Sequence, residues 1–331
     1  MKTFVILSMV LALVLVAGCG QKDEVAEKPA AEPAAEPAVE PVVAISDEKE
    51  AVPETDPLLK ELKNAAYNGI EEHGPVTLKD GRWEGEPYTE DSATRPRVQF
   101  MRDFFRVGDL DGDGVDEVAV LLAAHAGGTG ENIYLAVMGR RDGNLENLDT
   151  VLIGDRVQIR KAGILEGRLF MDILRAGKGD ALCNPGELDV LAWTLQEGKL
   201  APMDATSKPL RLSLEAIKGN QWVLAWWDFD EKAPAEPEIS FEYKEGRLAG
   251  KSGCNTFFTQ PKHGQAPGEI TFGPTGGTMM MCSDDVMEME RRFLTQLEGV
   301  KKFGYQATML ALSFESNGKH GVMLFERRDV K

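Results

Sequence analysis

Apolar residues in the first half of the chain occur in short runs separated by turn residues. The runs are EVAVLLAAH (117–125), NIYLAVMGR (132–140), VQIRKAGIL (157–165), RLFMDIL (168–174) and ELDVLAWTL (187–195). Each has the length and β-branched content of a strand, and Glu-Gly pairs at 166–167 and 197–198 mark turns. A short amphipathic helix over 58–66 precedes them. The pattern predicts a mostly antiparallel β-rich domain over residues 57–205.

A second group of strands follows a polar, proline-containing break at 201–209. Its apolar runs are QWVLAWWDF (221–229), the hairpin 238–253, EITF (269–272), TMLALSFES (308–316) and GVMLFER (321–327). One helix is predicted by apolar residues at three- and four-residue steps, namely Val286, Met289, Phe293 and Leu297. Ser283 is expected to cap it by accepting a backbone N–H bond. The predicted fold class is α+β, mostly antiparallel β, in two domains, of which the second (210–328) is an antiparallel sheet or partial barrel with one helix.

The N-terminus consists of Lys2 and an apolar run over 4–16. This run is shorter than the roughly 20 residues of a bilayer-spanning helix and suits the hydrophobic region of a secretory signal. VAGC, ending at Cys19, resembles the lipobox of bacterial lipoprotein precursors. The resemblance implies that residues 1–18 are removed and that Cys19 receives diacylglycerol and acyl lipid. With Gly20 instead of the aspartate that commonly retains lipoproteins in the inner membrane, it implies the outer membrane, facing the periplasm. An uncleaved anchor or a buried strand is the alternative.

Residues 19–56 are rich in Ala, Glu and Pro and contain no aromatic residue. Such a segment buries too little apolar surface to offset its ordering entropy, so it is predicted to be a disordered, extended tether. The formal net charge of the chain is -17. This acidity argues against binding nucleic acid or the surface of anionic lipid, because both require basic surfaces. Attachment to the membrane would then depend on the acyl chains.

Three of the four cysteines remain after Cys19 is assigned to lipid. In an oxidising compartment they allow one disulfide and one free thiol. Cys254 and Cys282 lie in the same predicted domain and are the natural pair. Two buried thiols that never bond are the alternative.

The second domain contains the motifs WVLAWW, RLAGKSGCNTFF, ITFGPTGGTMMMC, the predicted helix, LALSF and VMLFER. Together these motifs resemble the META domain, a family found in secreted and heat-shock-associated bacterial lipoproteins. Many relatives have arginine after Thr278, where this chain has Met279, so no role of that arginine is transferred. Asn255, Phe257 and Thr278 are candidates to line a ligand cleft. The alternative, which we favour, is a tight turn joined to the helix start by Cys254 and Cys282.

Aspartates at alternating positions form a second motif, GDLDGDGVDEV. The candidate ligands for Ca²⁺ are Asp109, Asp111, Asp113, the carbonyl of Val115 and Glu117. Position twelve is Val120 instead of the bidentate glutamate of an EF-hand, and a strand follows instead of a helix. The loop resembles calcium loops of β-propeller blades and other secreted β-proteins, which implies a structural role. A solvated acidic turn is the alternative.

Residues 98–174 also resemble, less specifically, a domain that precedes META domains in some exported bacterial proteins. No activity follows from that resemblance. Such relatives often have Cys-Cys-Pro where this chain has Cys183-Asn184-Pro185. Cys183 is therefore predicted to be a free thiol.

Catalytic motifs are weak in this sequence. The histidines (73, 125, 263 and 320) are isolated, Ser252 is not in a nucleophile elbow, and neither Cys254 nor Cys282 has an evident activating histidine. A soft-metal site is disfavoured because no histidine lies near Met279–Met281 at a ligand spacing. We expect a non-enzymatic, lipid-anchored binding or envelope-stress module that contacts an envelope protein. The alternative is a tethered inhibitor of a protease or lysozyme, inserting an exposed loop at 259–268.

Overall fold

The structure is a computed structural model that describes residues 56–70, 74–87, 89, 94–127, 130–204, 208–306 and 308–329. These residues belong to one compact unit. The predicted signal peptide, the lipidated Cys19 and the tether up to residue 55 lie outside the described residues. Among the residues that are described, no helix is long and apolar enough to cross a membrane.

The first half of this unit, which we call the N-terminal lobe, is almost entirely β. Its elements are α1 (Pro57–Leu62), β1 (Ala66–Tyr67), β2 (Val76–Thr77), β3 (Arg82–Glu84), β4 (Arg97–Gly108), β5 (Glu117–His125), β6 (Asn132–Arg141), β7 (Asn144–Asp155), β8 (Gln158–Leu165), β9 (Arg168–Arg175), β10 (Glu187–Gln196), β11 (Lys199–Pro202) and β12 (Leu210–Arg211). Strands β3 to β7 form one antiparallel meander. Strands β8 to β11 form a second sheet, to which β12 adds by pairing with β10.

The second half, the C-terminal lobe, is an eight-stranded antiparallel sheet with one long helix. Its elements are a 3-10 helix (Leu214–Ile217), β13 (Asn220–Trp226), β14 (Ile239–Lys244), β15 (Arg247–Ser252), β16 (Thr256–Thr259), β17 (Pro261–His263), β18 (Ile270–Phe272), β19 (Gly276–Gly277), α2 (Asp284–Glu298), β20 (Val300–Gln306), β21 (Met309–Ser316) and β22 (Lys319–Asp329). The sheet order is β19-β16-β15-β14-β13-β22-β21-β20, and the sheet curls into a half-barrel. The predicted fold class, α+β and mostly antiparallel β, is confirmed.

Strand β5 is apolar on both faces because each face meets another layer. Ala119, Leu121 and Ala123 pack against the second sheet. Val118, Val120 and Leu122 instead pack with α1 and the β1–β2 hairpin. A strand covered on both sides has no polar alternation, as the continuous run in the sequence indicated. The N-terminal lobe therefore has three layers.

Helix α2 buries one apolar stripe in the core of the C-terminal lobe. Phe293 and Leu297 are fully buried, and the ring of Phe293 meets the ring of Phe257 edge to face at 5.2 Å between centroids. The acidic residues Asp284 and Asp285 lie in the first turn, where the helix dipole favours negative charge. The capping prediction was wrong in one respect, because no side-chain hydrogen bond from Ser283 caps this helix.

Two residues of the N-terminal lobe extend the hydrophobic core of the C-terminal lobe. Leu174 and Leu188, from β9 and β10, pack within the main core cluster of the C-terminal lobe. The backbone N–H of Thr308 donates to the carbonyl of Ile159 at 3.1 Å, which joins a turn of one lobe to a strand of the other. The lobes are thus packed together as one body in the described part of the chain.

Two strand boundaries differ from the predicted ones. The run 221–229 is a strand only to Trp226, because a bulge follows Leu224 and the N–H of Trp227 donates to the carbonyl of Glu231 in a turn. The first helix ends at Leu62, and Ala66, predicted to be helical, starts β1. In both places the backbone groups form hydrogen bonds that the local sequence pattern did not predict.

Candidate functional site

The aspartate loop between β4 and β5 is held in shape by its own side chains. The carboxylate of Asp109 accepts the backbone N–H groups of Gly112 and Gly114, at 2.7 and 3.0 Å. Asp111 accepts the N–H of Asp113 at 3.2 Å, and Asp113 accepts that of Val115 at 2.7 Å. Gly112 and Gly114 both have positive φ, which L side chains rarely adopt. The loop is therefore a tightly wound turn that points carboxylates toward its centre.

Glu117 closes the loop from the first residue of β5. Its side chain is buried, and its carboxylate accepts the N–H of Leu110 at 2.9 Å. Burial raises the pKa of Glu117, against the opposing effect of that hydrogen bond, and the negative charges of Asp111, Asp113 and Asp109 raise it further. The carboxylate is thus kept in a place that is unfavourable for a charge without a nearby cation.

Three of the five predicted calcium ligands are brought together. One carboxylate oxygen each from Asp109, Asp111 and Glu117 lies within 4.8 Å of the others. Oxygens bound to one Ca²⁺ at about 2.4 Å lie at most about 4.8 Å apart, so this spacing fits the ion. The Asp113 carboxylate is outside this group.

The second candidate site is the turn between β15 and β16. Cys254 and Cys282 form a disulfide with a Cα–Cα distance of 6.0 Å, so the pairing favoured from the sequence is present. Gly253 has a φ of +116°, and a Cβ there would lie 3.4 Å from the Met289 side chain. The GCN sequence therefore combines a glycine-only backbone with a covalent link to the segment that precedes α2.

Asn255 is the hydrogen-bonding centre of this turn. Its backbone N–H and its side-chain amide both donate to the Glu290 carboxylate at 2.8 Å. Its amide oxygen accepts the Thr278 hydroxyl at 2.8 Å and the Met280 N–H at 2.6 Å. The Ser252 hydroxyl donates to the same Glu290 carboxylate at 2.7 Å. The strand turn, the β19 segment and the helix are joined through one buried amide.

Glu290 was not singled out from the sequence. It lies on the buried side of α2 between Val286 and Phe293, and a charged residue within an apolar stripe was the available signal. Burial by itself would raise the pKa of Glu290, but hydrogen bonds from Asn255 and Ser252 and from backbone N–H groups outweigh it, and the pKa lies below the ordinary value. The carboxylate is therefore held ionised in a buried network.

The three residues predicted to line a ligand cleft have different environments. Phe257 is buried in the core against Phe293. Asn255 is buried and its side chain is bonded within the protein. The Thr278 hydroxyl donates to Asn255 and accepts the Thr256 N–H at 3.1 Å. Asn255 and Thr278 thus bond within the turn, whereas Phe257 packs in the core.

The methionines beside the disulfide are open to solvent. Met279 is 98% exposed, Met280 57% and Met281 94%. The backbone of Met280 is fixed, because its N–H and its carbonyl both bond to the Asn255 side chain. This methionine segment (279–281) thus presents three apolar side chains on a backbone anchored by Asn255 and Cys282.

Residues 259–268 were predicted to be an exposed loop, and this prediction needs correction. Pro261–His263 forms β17 and pairs with β18, while Thr259 is buried and donates to the carbonyl of Gly273 at 3.0 Å. The carbonyl of Gly268 accepts the N–H of Phe303 at 2.8 Å. Within this segment, Gln260 and the hairpin tip, residues 262–265, are exposed. Elsewhere, Cys183 is a free, exposed thiol.

The fold and the site define a class of protein: mostly antiparallel β, with a C-terminal half-barrel in which a disulfide joins the β15–β16 turn to the segment before the packed helix. Residues 215–329 match a sequence model of the META domain, so the resemblance of this part of the chain to that family is confirmed. A search of curated proteins finds no match. One similar solved structure is an NMR structure of a protein from Burkholderia xenovorans, 22% identical, covering 39% of this chain and 98% of that chain, with a TM-score of 0.29.

Proposed function

We propose that this protein is a lipid-anchored, non-enzymatic binding module of the bacterial cell envelope, which contacts a partner protein through its META domain. The observation on which this proposal depends is the exposure of Met279, Met280 and Met281. Unbranched, polarisable methionine side chains adapt to irregular apolar surfaces. Covering exposed apolar side chains with a partner is favourable, whereas covering polar surface costs desolvation free energy.

The segment is suited to binding because its backbone is already ordered. The disulfide and the Asn255 hydrogen bonds fix residues 280–282, so binding a partner costs little conformational entropy there. The disulfide also supports the proposed compartment, because such bonds persist in oxidising environments outside the cytoplasm. The lipobox at Cys19 and the tether 19–56 would then hold the folded unit at a distance from the membrane, on the periplasmic face of the outer membrane.

Partner capture from envelope extracts tests the binding role. Wild-type protein should retain a partner that is lost when Met279, Met280 and Met281 are all changed to serine. The matched control changes Leu165, Leu182 and Leu210 to serine, which removes three other exposed apolar side chains. Equal capture by the two triple variants would contradict the proposal.

Mass spectrometry of protein from the native host tests the anchor. A mature chain that starts at an acylated Cys19 is expected, and Cys19→Ser should release the protein from membranes. An intact leader with an unmodified thiol would contradict the proposed localisation.

We also propose that the loop of Asp109, Asp111 and Glu117 binds Ca²⁺ as a structural ion. An ion that binds only the folded state raises the melting temperature as its concentration exceeds the dissociation constant. Asp111→Asn should abolish that rise while keeping an oxygen to accept the Asp113 N–H. Asp116→Asn, in the same loop but outside the group, is the control. No response of the wild type to calcium would remove this claim.

A further inference from the structure

A polar cleft of about 420 Å³ lies at the junction of the two lobes. Most of its lining comes from the N-terminal lobe, namely the end of α1 and strands β3, β4 and β5. One side chain, Gln306 at the end of β20, comes from the C-terminal lobe. Small-molecule sites in proteins are concave, have volumes of about 300–1,000 Å³ and often lie between domains.

The shape of the cleft follows from strand register. Arg82 pairs with Gln99, and Gln99 pairs with Ala123, so these side chains stand in one row across the sheet. Ala123 contributes only a methyl group to that row, and Gly81 beside it contributes no side chain. The Lys63 stem instead covers Gly81, 3.5 Å from where a Cβ would stand. The small residues leave a hollow, and longer polar side chains surround it.

The charges around this hollow are mostly basic. Lys63 and Arg82 line it, and neither forms an ion pair with any residue that the structure describes. His125 and Glu131 lie opposite each other, with Nε2 and Oε2 3.8 Å apart. The lining thus contains two cationic side chains and one acidic side chain, Glu131, which faces His125.

We propose that this cleft binds a small organic oxyanion, a carboxylate or a phosphate ester, between Lys63 and Arg82. The Arg82 guanidinium presents a planar fork that matches two oxygens of such a group, and the Lys63 ammonium adds a point charge. The side-chain amides of Gln99 and Gln306 supply donors and acceptors for the uncharged part of the ligand. Because Gln306 belongs to the META domain, the ligand contacts both lobes. The inference goes beyond the proposed function, because the cleft and the methionine segment are separate sites.

Titration of the full chain with two probes tests the site. Glutarate carries the carboxylate chemistry and glycerol 3-phosphate the phosphate chemistry, with glutaramide and glycerol as uncharged controls. We expect at least one anion to bind at millimolar concentration, and to shift the backbone NMR signals of Gly81, Gln99 and Gln306. Binding of one probe alone identifies the oxyanion, and binding of both supports the shared chemistry. Binding of neither anion overturns the proposal.

Two variants with the same change in net charge distinguish binding in the cleft from attraction of the anion by the overall charge of the protein. Lys63→Met with Arg82→Gln should weaken binding about tenfold or more, the usual effect of losing a charge-assisted hydrogen bond. The control, Lys178→Met with Arg247→Gln, removes the same charge from exposed positions elsewhere. Equal weakening in both would overturn the proposal. If the first variant fails to fold, the NMR shifts of the wild type decide, and shifts confined to other regions count against the cleft.

The result of the anion titration is independent of the result of partner capture. Loss of the protein partner in capture experiments would leave the anion titration unchanged, because the cleft and the methionine segment involve different residues.

Discussion

Asn255 bonds the Met280 backbone, the Thr278 hydroxyl and the buried Glu290 carboxylate with a single side chain and its own N–H. Its amide has donors on one side and an acceptor on the other. Aspartate at this position would therefore place a second negative charge against Glu290, and leucine would leave several buried groups without partners. The asparagine of the GCN motif is explained by this geometry without any ligand.

Asn255→Ala should lower the free energy of unfolding by about 2–4 kcal/mol, because the ionised Glu290 and the Met280 N–H lose partners in a buried site. Urea unfolding followed by tryptophan fluorescence measures the change. Asn144→Ala, at an exposed position, should change stability by less than about 0.5 kcal/mol. Similar effects for the two substitutions would contradict the assigned role.

The depressed pKa of Glu290 predicts a specific pH dependence. The folded-state pKa lies below the unfolded value of about 4.3, so the stabilising contribution is present above that value. It is lost as the pH falls below about 4.3 through the folded pKa, because the unfolded state then binds more protons. Glu290→Gln should flatten the stability profile in this acidic range and leave its slope near neutral pH unchanged. An unchanged acid slope would refute the ionised assignment.

At the scale of elements, the disulfide constrains the segment between β15 and α2. Its cysteines are 28 positions apart in the sequence, and closing a loop of that length is worth about 3–4 kcal/mol in the chain-entropy account. The Cys254→Ser, Cys282→Ser double variant should be destabilised by up to that amount. Cys183→Ser should have little effect, because that thiol is exposed and unpaired. Equal unfolding midpoints for the double variant and the wild type would contradict this role.

Most elements were predictable from the sequence because burial on one or both faces leaves a clear apolar pattern. Strands β5, β6, β9, β10, β21 and helix α2 lie close to the predicted runs. Strands β4 and β7 were missed. Both strands are long. Strand β7 is half-exposed along most of its length, so its sequence lacks the alternation of apolar and polar residues that marks a strand. The very short strands depend on pairing partners that no local window contains.

The candidate sites were predictable to different degrees. The acidic loop and the cysteine pair have sequence spacings that follow from chemistry, so both were found. The Glu290 network and the inter-lobe cleft combine residues far apart in the chain, such as Lys63 and Gln306. Only the folded arrangement brings them together, and no spacing rule describes them.

At the scale of the whole molecule, Arg160 fastens the two lobes to each other. Its guanidinium donates to the Asp172 carboxylate at 2.9 Å within the N-terminal lobe and to the carbonyl of Ala216 at 2.9 Å in the C-terminal lobe. It also stands over the Tyr305 ring, 5.0 Å from the centroid. Gln158 accepts the Tyr305 N–H at 2.7 Å beside it. The junction is thus built from both apolar and charged contacts.

Arg160→Met should destabilise the protein by about 3–5 kcal/mol, because Asp172 would remain buried without its cation. Adding Asp172→Leu should recover much of the loss, since no buried charge then remains. Chemical unfolding should show one transition for tryptophans of both lobes in the wild type. An equally unstable double variant, or separate transitions for the lobes in the wild type, would contradict this account.

The openness of Met279 and Met281 has one more consequence. Hypochlorous acid or a peroxide in the surroundings would reach these thioether sulfurs readily and convert them to sulfoxides, which are polar. The fold would tolerate the conversion, because Asn255 bonds to main-chain atoms of Met280 and to no sulfur. Oxidation would therefore make this patch polar without breaking a hydrogen bond that holds the turn, and methionine sulfoxide reductases could reverse the change.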